Sequence, residues 1–273
     1  MSRPAVSGGL GGLAGIARRY DLMLCDVFGV VHDAERVHPA AVDALACARR
    51  GGASVVLVSN SASPGPAVAS SLQARGIGPD ACDAVVTSAD VARDLIRGRG
   101  ARAVIHIGPA REAAFLDDFG VALASVEEAE LVVCTGLEEP QDEGARAVLL
   151  AVARRRGLTL VCTNPDRTAE TPRGTLRFAG LIAEAYAALG GAVVLTGKPD
   201  PSIYEAALAA AARVRGGPVA PGRVLAIGDT YALDVAGAVA CGFDALWITP
   251  DGADDPRPAI PGPWIGRMPT LAW

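Results

Sequence analysis

This 273-residue sequence has few aromatic residues and no excess of basic charge. Aromatic residues make up 4% of the chain, and its 25 Lys and Arg residues are outnumbered by 30 Asp and Glu, for a formal net charge of −5. Nucleic-acid-binding surfaces need clustered positive charge that displaces counterions. The one tight basic cluster, Arg154-Arg155-Arg156, precedes a glycine and is typical of a helix end. We therefore expect no nucleic-acid partner.

Paired cysteines and long apolar runs are missing as well. The six cysteines include no C-x-x-C pair, and Cys25, Cys134 and Cys162 lie within apolar runs, as free buried thiols do. No stretch approaches the roughly 20 apolar residues that cross a bilayer. Gly8-Gly9-Leu10-Gly11-Gly12 interrupts the N-terminal stretch where a signal peptide would carry an apolar helix. These features predict a cytoplasmic protein that does not associate with membranes.

The sequence does contain a regular alternation of short apolar runs and helical segments. The runs at 22–29, 54–60 and 224–229 are too short for buried helices and are typical of strands buried on both faces. Helical segments separate them and begin at residues such as Pro39, which suits the first turn of a helix. This order requires parallel strands joined by right-handed crossovers. We therefore predict an α/β fold with a doubly wound parallel sheet.

Residues suited to phosphate and metal chemistry lie at or just past the carboxyl ends of four predicted strands: Asp26, Ser59, Lys198 and Asp229. Ligands bind at the carboxyl edge of open α/β sheets, so we expect these four side chains to meet there. Two carboxylates alone would repel one another, but Mg²⁺ between them would form a hard-oxygen site that accepts a phosphate oxygen. The ammonium and hydroxyl groups would then hold the other phosphoryl oxygens. Asp234 lies near the start of the next predicted helix and would support a metal-bound water.

Four segments around these residues resemble, in order, the motifs of the haloacid dehalogenase (HAD) superfamily of aspartate-nucleophile phosphatases. They are D-x-F-G-V at 26–30, V-S-N at 58–60, G-K-P at 197–199 and G-D-x-x-x-x-D at 228–234. Each motif alone is a weak signal, whereas four in order along nearly the whole chain form a specific one. The resemblance implies a HAD-like core of the Rossmann type.

The interval between the second and third motifs is too long for a connector. It matches the branch of the superfamily that inserts a cap domain at this point, and Asn164-Pro165-Asp166 resembles the N-P-D element of class IIA. That class includes pyridoxal-phosphate, 4-nitrophenyl-phosphate and sugar-phosphate phosphatases. The predicted domains are a core from residues 1–87 and 178–273 and an inserted α/β cap from 88–177, which should close over the site and exclude water.

The resemblance also implies roles for individual residues. Asp26 would be the nucleophile, forming an aspartyl-phosphate that water then hydrolyses. Lys198 would bind the phosphoryl group and assist catalysis, and Ser59 and Asn60 would bind the substrate. Asp166 would either face the substrate from the cap or form part of a turn built on Asn-Pro.

The implied metal ligands are the Asp26 carboxylate, the backbone carbonyl of Phe28 and Asp229, with Asp234 in support. Most phosphatases of the family carry a second Asp where this chain has Phe28, and use it as general acid and base. Losing such a group typically costs 10²–10⁴-fold in rate. Three explanations stay open: a leaving group of low pKa, a substitute such as His32 or the neighbouring Asp33, or loss of turnover.

The sequence therefore predicts Mg²⁺-dependent hydrolysis of a small phosphorylated metabolite through an aspartyl-phosphate. The main alternative is a catalytically impaired protein that binds a phosphorylated ligand without turnover. Cleavage of a carbon–phosphorus bond and dehalogenation are less favoured, because the first would usually need a Schiff-base lysine and the second needs no Mg²⁺. Oligomeric state is open, with a homodimer as one option.

Overall fold

The computed structural model of the chain describes residues 10–137, 143–172, 174–249 and 266–273, so Gly8 and Gly9 of the glycine-rich segment lie outside the described residues. The strands are β1 (Leu22–Asp26), β2 (Ser54–Ser59), β3 (Ala84–Thr87), β4 (Ala103–Ile107), β5 (Ala122–Leu123), β6 (Leu131–Cys134), β7 (Thr159–Cys162), β8 (Thr168–Thr171), β9 (Gly174–Arg177), β10 (Ala192–Leu195), β11 (Val224–Gly228), β12 (Asp244–Ile248) and β13 (Gly266–Met268). The α-helices are α1 (Pro39–Arg50), α2 (Gly65–Ala74), α3 (Ser88–Arg99), α4 (Ala110–Ala113), α5 (Phe115–Phe119), α6 (Glu143–Arg155), α7 (Ala179–Ala188), α8 (Pro201–Arg215) and α9 (Ala236–Ala240).

Local sequence explains where the main helices begin and end. Helix α3 begins with a capping box, in which the Thr87 side chain accepts from the backbone of Asp90 and the Asp90 side chain accepts from the backbone of Thr87. Helix α8 begins at Pro201 after Asp200, whose side chain accepts from the backbone N–H of Ser202. Gly216 ends α8 in the left-handed conformation that glycine adopts readily.

The chain divides into two compact units. The first contains the described residues up to Ser59, Pro66–Val86 and the described residues from Lys198 onward. Its six-stranded sheet has the order β13-β12-β11-β1-β2-β3, and the pairings from β13 to β2 are parallel. Buried side chains such as Met23 and Leu57 form its core. The sheet confirms the predicted parallel α/β architecture.

Strand register in the first unit sets which residues share the carboxyl edge of its sheet. Cys25 lies opposite Ile227, and Asp26 lies opposite Val58. The next residue after Val58 is Ser59, and Asp229 directly follows β11. The residues that end or follow these three neighbouring strands therefore lie at one edge.

The second unit consists of Asn60–Gly65 and Thr87–Gly197. Its five-stranded parallel sheet has the order β10-β7-β6-β4-β5, and the hairpin β8–β9 is antiparallel. The core includes Cys134 and Cys162, which are free and buried as the sequence predicts. The hairpin and the two-residue β5 were not predicted, because both are short and lack a continuous apolar run.

The second unit extends past the domain boundary predicted between residues 177 and 178. Helix α7 and strand β10 belong to the second unit, which extends to Gly197. Strand β10 pairs with β7, so that Leu195 lies opposite Cys162. An apolar run of this length fits a strand in either sheet, so the sequence pattern alone could not assign it.

Among the described residues, none of the helices has the length and apolarity needed to cross a bilayer.

Candidate active site

A buried lysine joins two buried carboxylates at the carboxyl end of β1. The Lys198 ammonium donates to Asp26 Oδ1 and, over 2.7 Å, to Asp234 Oδ1. The three side chains are 6%, 10% and 5% exposed, respectively. Burying such charges is costly unless they are paired and hydrogen-bonded. One ammonium between two carboxylates partly meets that requirement.

The segment that carries Lys198 differs from the one predicted. It follows β10, which belongs to the five-stranded sheet of the second unit, so Lys198 does not extend a strand of the six-stranded sheet. It belongs instead to the segment that leads into α8. The expectation of four strand ends at one edge is therefore wrong: Asp26, Ser59 and Asp229 are placed by strands of one sheet, and the lysine comes from a helix-leading segment.

Lys198 is also the one lysine in the chain, in which the other 24 of the 25 basic residues are arginine. An ammonium is a compact point charge with three donors, whereas a guanidinium is a larger planar fork. Two carboxylates that approach one buried nitrogen suit the ammonium. The presence of a single lysine among 25 basic residues was visible in the sequence, but the sequence analysis did not use it.

Asp234 is held on both sides of its carboxylate. Its Oδ1 accepts from Lys198, and its Oδ2 accepts from the backbone N–H of Thr230 over 3.0 Å. The Tyr204 hydroxyl lies 3.2 Å from the Asp234 carbonyl oxygen. A side chain at Gly228 would overlap the Asp234 carboxylate. Asp234 is thus an anchor for Lys198 as well as a member of the acidic group.

Asp229 lies half-buried in the turn that follows β11. A Cβ atom at Gly29 would lie 2.6 Å from Asp229 Cγ, and Gly29 has a positive φ of 88°. Only glycine fits both constraints without strain. The Phe28–Gly29 peptide therefore lies beside this carboxylate. The Trp247 indole N–H donates to the Asp229 carbonyl oxygen over 2.8 Å and fixes the turn.

Asp26, Asp229 and Asp234 each offer an oxygen within 4.8 Å of the others. Burial raises the pKa of Asp26 despite the opposing effect of Lys198, and burial followed by the charge of Asp234 raises the pKa of Asp229 to about 6. The three carboxylates thus outnumber the one ammonium that touches two of them. A group of hard oxygen donors with surplus negative charge fits a divalent cation such as Mg²⁺.

Phe28 stands at the rim of this site. It is 38% exposed, and its ring meets the His32 ring edge to face, with centroids 5.9 Å apart. His32 Nδ1 lies 2.9 Å from the Asp33 carbonyl oxygen and donates to it. The Asp33 carboxylate accepts hydrogen bonds from the backbone N–H groups of Glu35 and Arg36 and from the His38 side chain. These bonds lower the pKa of Asp33.

A cavity of about 560 Å³ opens beside the contact between Gly29 and Asp229. Its walls also include Ile248, parts of the segment 30–40 and residues 269–271. The cavity gives space for part of a ligand next to the acidic group.

Two predicted substrate-binding residues, Asn60 and Asp166, belong to the second unit and bind each other. Asn60 Nδ2 donates to Asp166 Oδ1 over 3.0 Å. In the first unit the structure brings together Asp26, Asp234 and Lys198. The sequence reasoning missed Trp247, which no motif marks and which is found only from its position in the strand beside β11.

Comparison with known proteins gives consistent results. A structure of a haloacid dehalogenase-like hydrolase from Brucella suis is 42% identical, covering 88% of this chain and 92% of that chain with a TM-score of 0.82. A magnesium complex of a glycerol phosphate phosphatase from Mycobacterium tuberculosis is 29% identical, covering 85% of this chain and 69% of that chain with a TM-score of 0.68.

A curated relative, an acid sugar phosphatase from Staphylococcus aureus, is 28% identical over 60% of this chain. The match spans 61% of that relative's length. The family model for haloacid dehalogenase-like hydrolases matches residues 20–242. The chain therefore belongs to the haloacid dehalogenase-like hydrolase family, and its solved neighbours include members of the class IIA branch.

Proposed function

We propose that this protein is a Mg²⁺-dependent phosphatase that hydrolyses a small phosphorylated metabolite through an aspartyl-phosphate on Asp26. The observation that carries the proposal is the buried contact of Lys198 with both Asp26 and Asp234, next to Asp229. A nucleophilic carboxylate needs a neighbouring positive charge to accept a phosphoryl group that is itself negative. The lysine supplies part of that charge.

Asp26, Asp229 and the backbone carbonyl of Phe28 would hold the metal ion, with Asp234 in support. The position of the Phe28–Gly29 peptide against the Asp229 carboxylate supports this ligand set. When bound, Mg²⁺ would offset the surplus carboxylate charge and polarise a phosphoryl oxygen. The magnesium complex of the mycobacterial glycerol phosphate phosphatase adds support.

In the first step, an Asp26 carboxylate oxygen bonds to phosphorus as the bond between phosphorus and the leaving-group oxygen breaks. That oxygen departs with the electron pair. Ser59 and Lys198 would hold the phosphoryl oxygens, where charge spreads in the transition state. Water then attacks phosphorus as the bond between phosphorus and the Asp26 oxygen breaks, which releases phosphate and restores the Asp26 carboxylate.

Phe28 cannot donate a proton to the departing oxygen, so a substrate whose leaving group has a high pKa needs another donor. We assign this role to His32, because its ring packs edge to face against the Phe28 ring and an imidazole can both donate and accept a proton. Its Nδ1 is engaged with the Asp33 carbonyl oxygen, so Nε2 would be the nitrogen that exchanges the proton.

The substrate class we propose is a phosphorylated sugar or polyol, by analogy with the acid sugar phosphatase and the glycerol phosphate phosphatase. The six free cysteines favour a cytoplasmic location for such an enzyme. A second candidate function is binding of a phosphorylated ligand without turnover. The exposed Phe28 ring, in the position of the usual acid, is the observation that favours it.

One assay separates the two functions. Phosphate release would be measured with Mg²⁺ from 4-nitrophenyl phosphate and from sugar and polyol phosphates, for the wild-type protein, Asp26→Asn and Phe28→Asp. The exposed Asp43→Asn is the matched control. Activity that Asp26→Asn lowers by several orders of magnitude supports the phosphatase. A silent wild-type protein that Phe28→Asp activates would refute turnover by the wild type and support the binding function instead.

A further inference from the structure

The N-P-D element binds the first residue by which the chain enters the second unit. Asn60 Nδ2 donates to Asp166 Oδ1 over 3.0 Å, and the Asp166 backbone N–H donates to Asn164 Oδ1 over 3.2 Å. Asn60 and Asn164 are 5% and 8% exposed. Leaving buried polar groups of this kind unpaired costs free energy. The hydrogen bonds of Asn60 and Asn164 therefore stabilise this part of the fold.

The last residue of the second unit packs against the same element. A Cβ atom at Gly197 would overlap Asn60 Oδ1, and it would lie 2.8 Å from Pro165 Cδ and 2.9 Å from Ser88 Oγ. Glycine at 197 therefore lets the outgoing chain lie against both Asn60 and Pro165. The entry and exit of the second unit are in contact at this point.

A pair of buried hydroxyl groups, from Ser88 and Thr196, lies beside Gly197. Ser88 Oγ and Thr196 Oγ1 lie 3.0 Å apart, and Thr196 Oγ1 lies 3.0 Å from the Ser88 carbonyl oxygen. Both residues are fully buried. We call Asn60, Asp166, Gly197 and this Ser88–Thr196 pair the linker clasp, because they tie together segments by which the chain enters and leaves the second unit.

We propose that Asp166 is a positioning residue for the phosphatase site: through the linker clasp it fixes the backbone that carries Ser59 and Lys198. The inference rests on the proposed function, in which these two residues hold the phosphoryl group. Each is one residue from a member of the clasp, so its Cα is about 3.8 Å away along the chain. Misplacing a catalytic group by about 1 Å is worth roughly 10²-fold in rate.

This role differs from substrate recognition by Asp166, which the sequence left open. The Asp166 carboxylate already accepts from Asn60, and the Asp166 carbonyl oxygen accepts from the backbone N–H of Gly180 over 3.1 Å. A positioning residue affects every substrate alike, because the phosphoryl group is common to all. A recognition residue affects substrates according to their leaving groups.

The test compares Asp166→Ala with Asp166→Asn, which keeps an oxygen acceptor for Asn60. KM and kcat would be measured with 4-nitrophenyl phosphate and a sugar phosphate, and the affinity for inorganic phosphate by calorimetry with Mg²⁺ present. We expect Asp166→Ala to lower phosphate affinity and kcat/KM about 10- to 100-fold, equally for both substrates. Asp166→Asn should stay within about threefold of wild type. Glu127→Ala, which removes an exposed carboxylate of the same unit, is the control.

Asn60→Ala gives a second route to the same answer. Because both variants break the same hydrogen bond between Asn60 and Asp166, the double variant should be no worse than Asp166→Ala alone. A loss that differs more than fivefold between the two substrates, additive effects, or an Asp166→Asn variant as impaired as Asp166→Ala would overturn the proposal.

Hydrogen exchange in the ligand-free protein separates this inference from the proposed function. Asp166→Ala and Asn60→Ala should both speed exchange of the backbone amides in 60–65 and 196–198, whether or not the protein turns over substrate. Unchanged exchange there would overturn the clasp even in an active phosphatase. Faster exchange in a protein without phosphatase activity would support the linker clasp and refute the proposed function.

Discussion

The Gly29 Cα lies against the Asp229 carboxylate so closely that a methyl group at position 29 would lie 2.6 Å from Asp229 Cγ. Gly29→Ala should therefore push Asp229 away from Asp26 and weaken Mg²⁺ binding at least tenfold. Calorimetric Mg²⁺ titration measures this directly. Gly52 is a matched control, because its φ of 96° is also left-handed but a Cβ there meets nothing within 4 Å. Gly52→Ala should lose about 1–2 kcal/mol of stability and keep its Mg²⁺ affinity. Equal Mg²⁺ affinity in both variants would contradict the prediction.

Lys198→Met should leave Asp26 and Asp234 buried without their common partner. We expect it to lower the free energy of unfolding of the metal-free protein by about 3–5 kcal/mol at pH 7.5, measured by denaturant titration. Burial already raises the pKa of Asp26, so the folded protein takes up this proton more readily than the unfolded chain. The loss should therefore shrink as the pH falls towards 5.

Lys198→Arg keeps the charge and serves as the companion variant. Because a planar guanidinium is larger than an ammonium, we expect it to recover part of the stability and little of the phosphate affinity. A Lys198→Met variant as stable as wild type at pH 7.5 would show that the buried pairs contribute nothing.

Trp247→Phe removes the donor to the Asp229 carbonyl oxygen and keeps an aromatic ring against Tyr231, whose centroid lies 5.3 Å from that of Trp247. The lost hydrogen bond should cost about 1 kcal/mol of stability. It should also weaken Mg²⁺ binding several-fold, because the turn carrying Asp229 loses its support. Trp273→Phe, at a residue that is 45% exposed, is the control and should change neither quantity.

Glu112→Gln should stabilise the second unit at neutral pH. Burial raises the pKa of the Glu112 carboxyl, and within the described part of the structure its buried Oε2 has no hydrogen-bond partner. A carboxyl with a raised pKa in the folded state destabilises the protein once the pH exceeds its ordinary value.

The gain should be about 1 kcal/mol at pH 7.5, seen as a higher Tm, and should vanish near pH 4. The exposed Glu143→Gln is the control. A Glu112→Gln variant that is less stable at pH 7.5 would refute this prediction.

The strand pattern was predictable because short apolar runs between glycines have few alternatives in a parallel sheet. The runs containing Asp26, Ser59 and Asp229 form β1, β2 and β11 or lie at their ends, as expected from the order of strands and helices. The sheet to which 192–195 belongs was not predictable. A parallel strand buried on both faces has the same composition in either sheet, and only its hydrogen-bonding partner distinguishes them.

The sequence by itself determined a parallel α/β fold, the family, and the residue types that meet at the carboxyl end of β1. Tertiary structure alone decided that Lys198 lies between Asp26 and Asp234, that Gly29 touches Asp229, and that Asp166 binds Asn60. The physical reason is that residue types follow from local pattern and chemistry. Contacts between residues far apart in the chain depend on how whole elements pack.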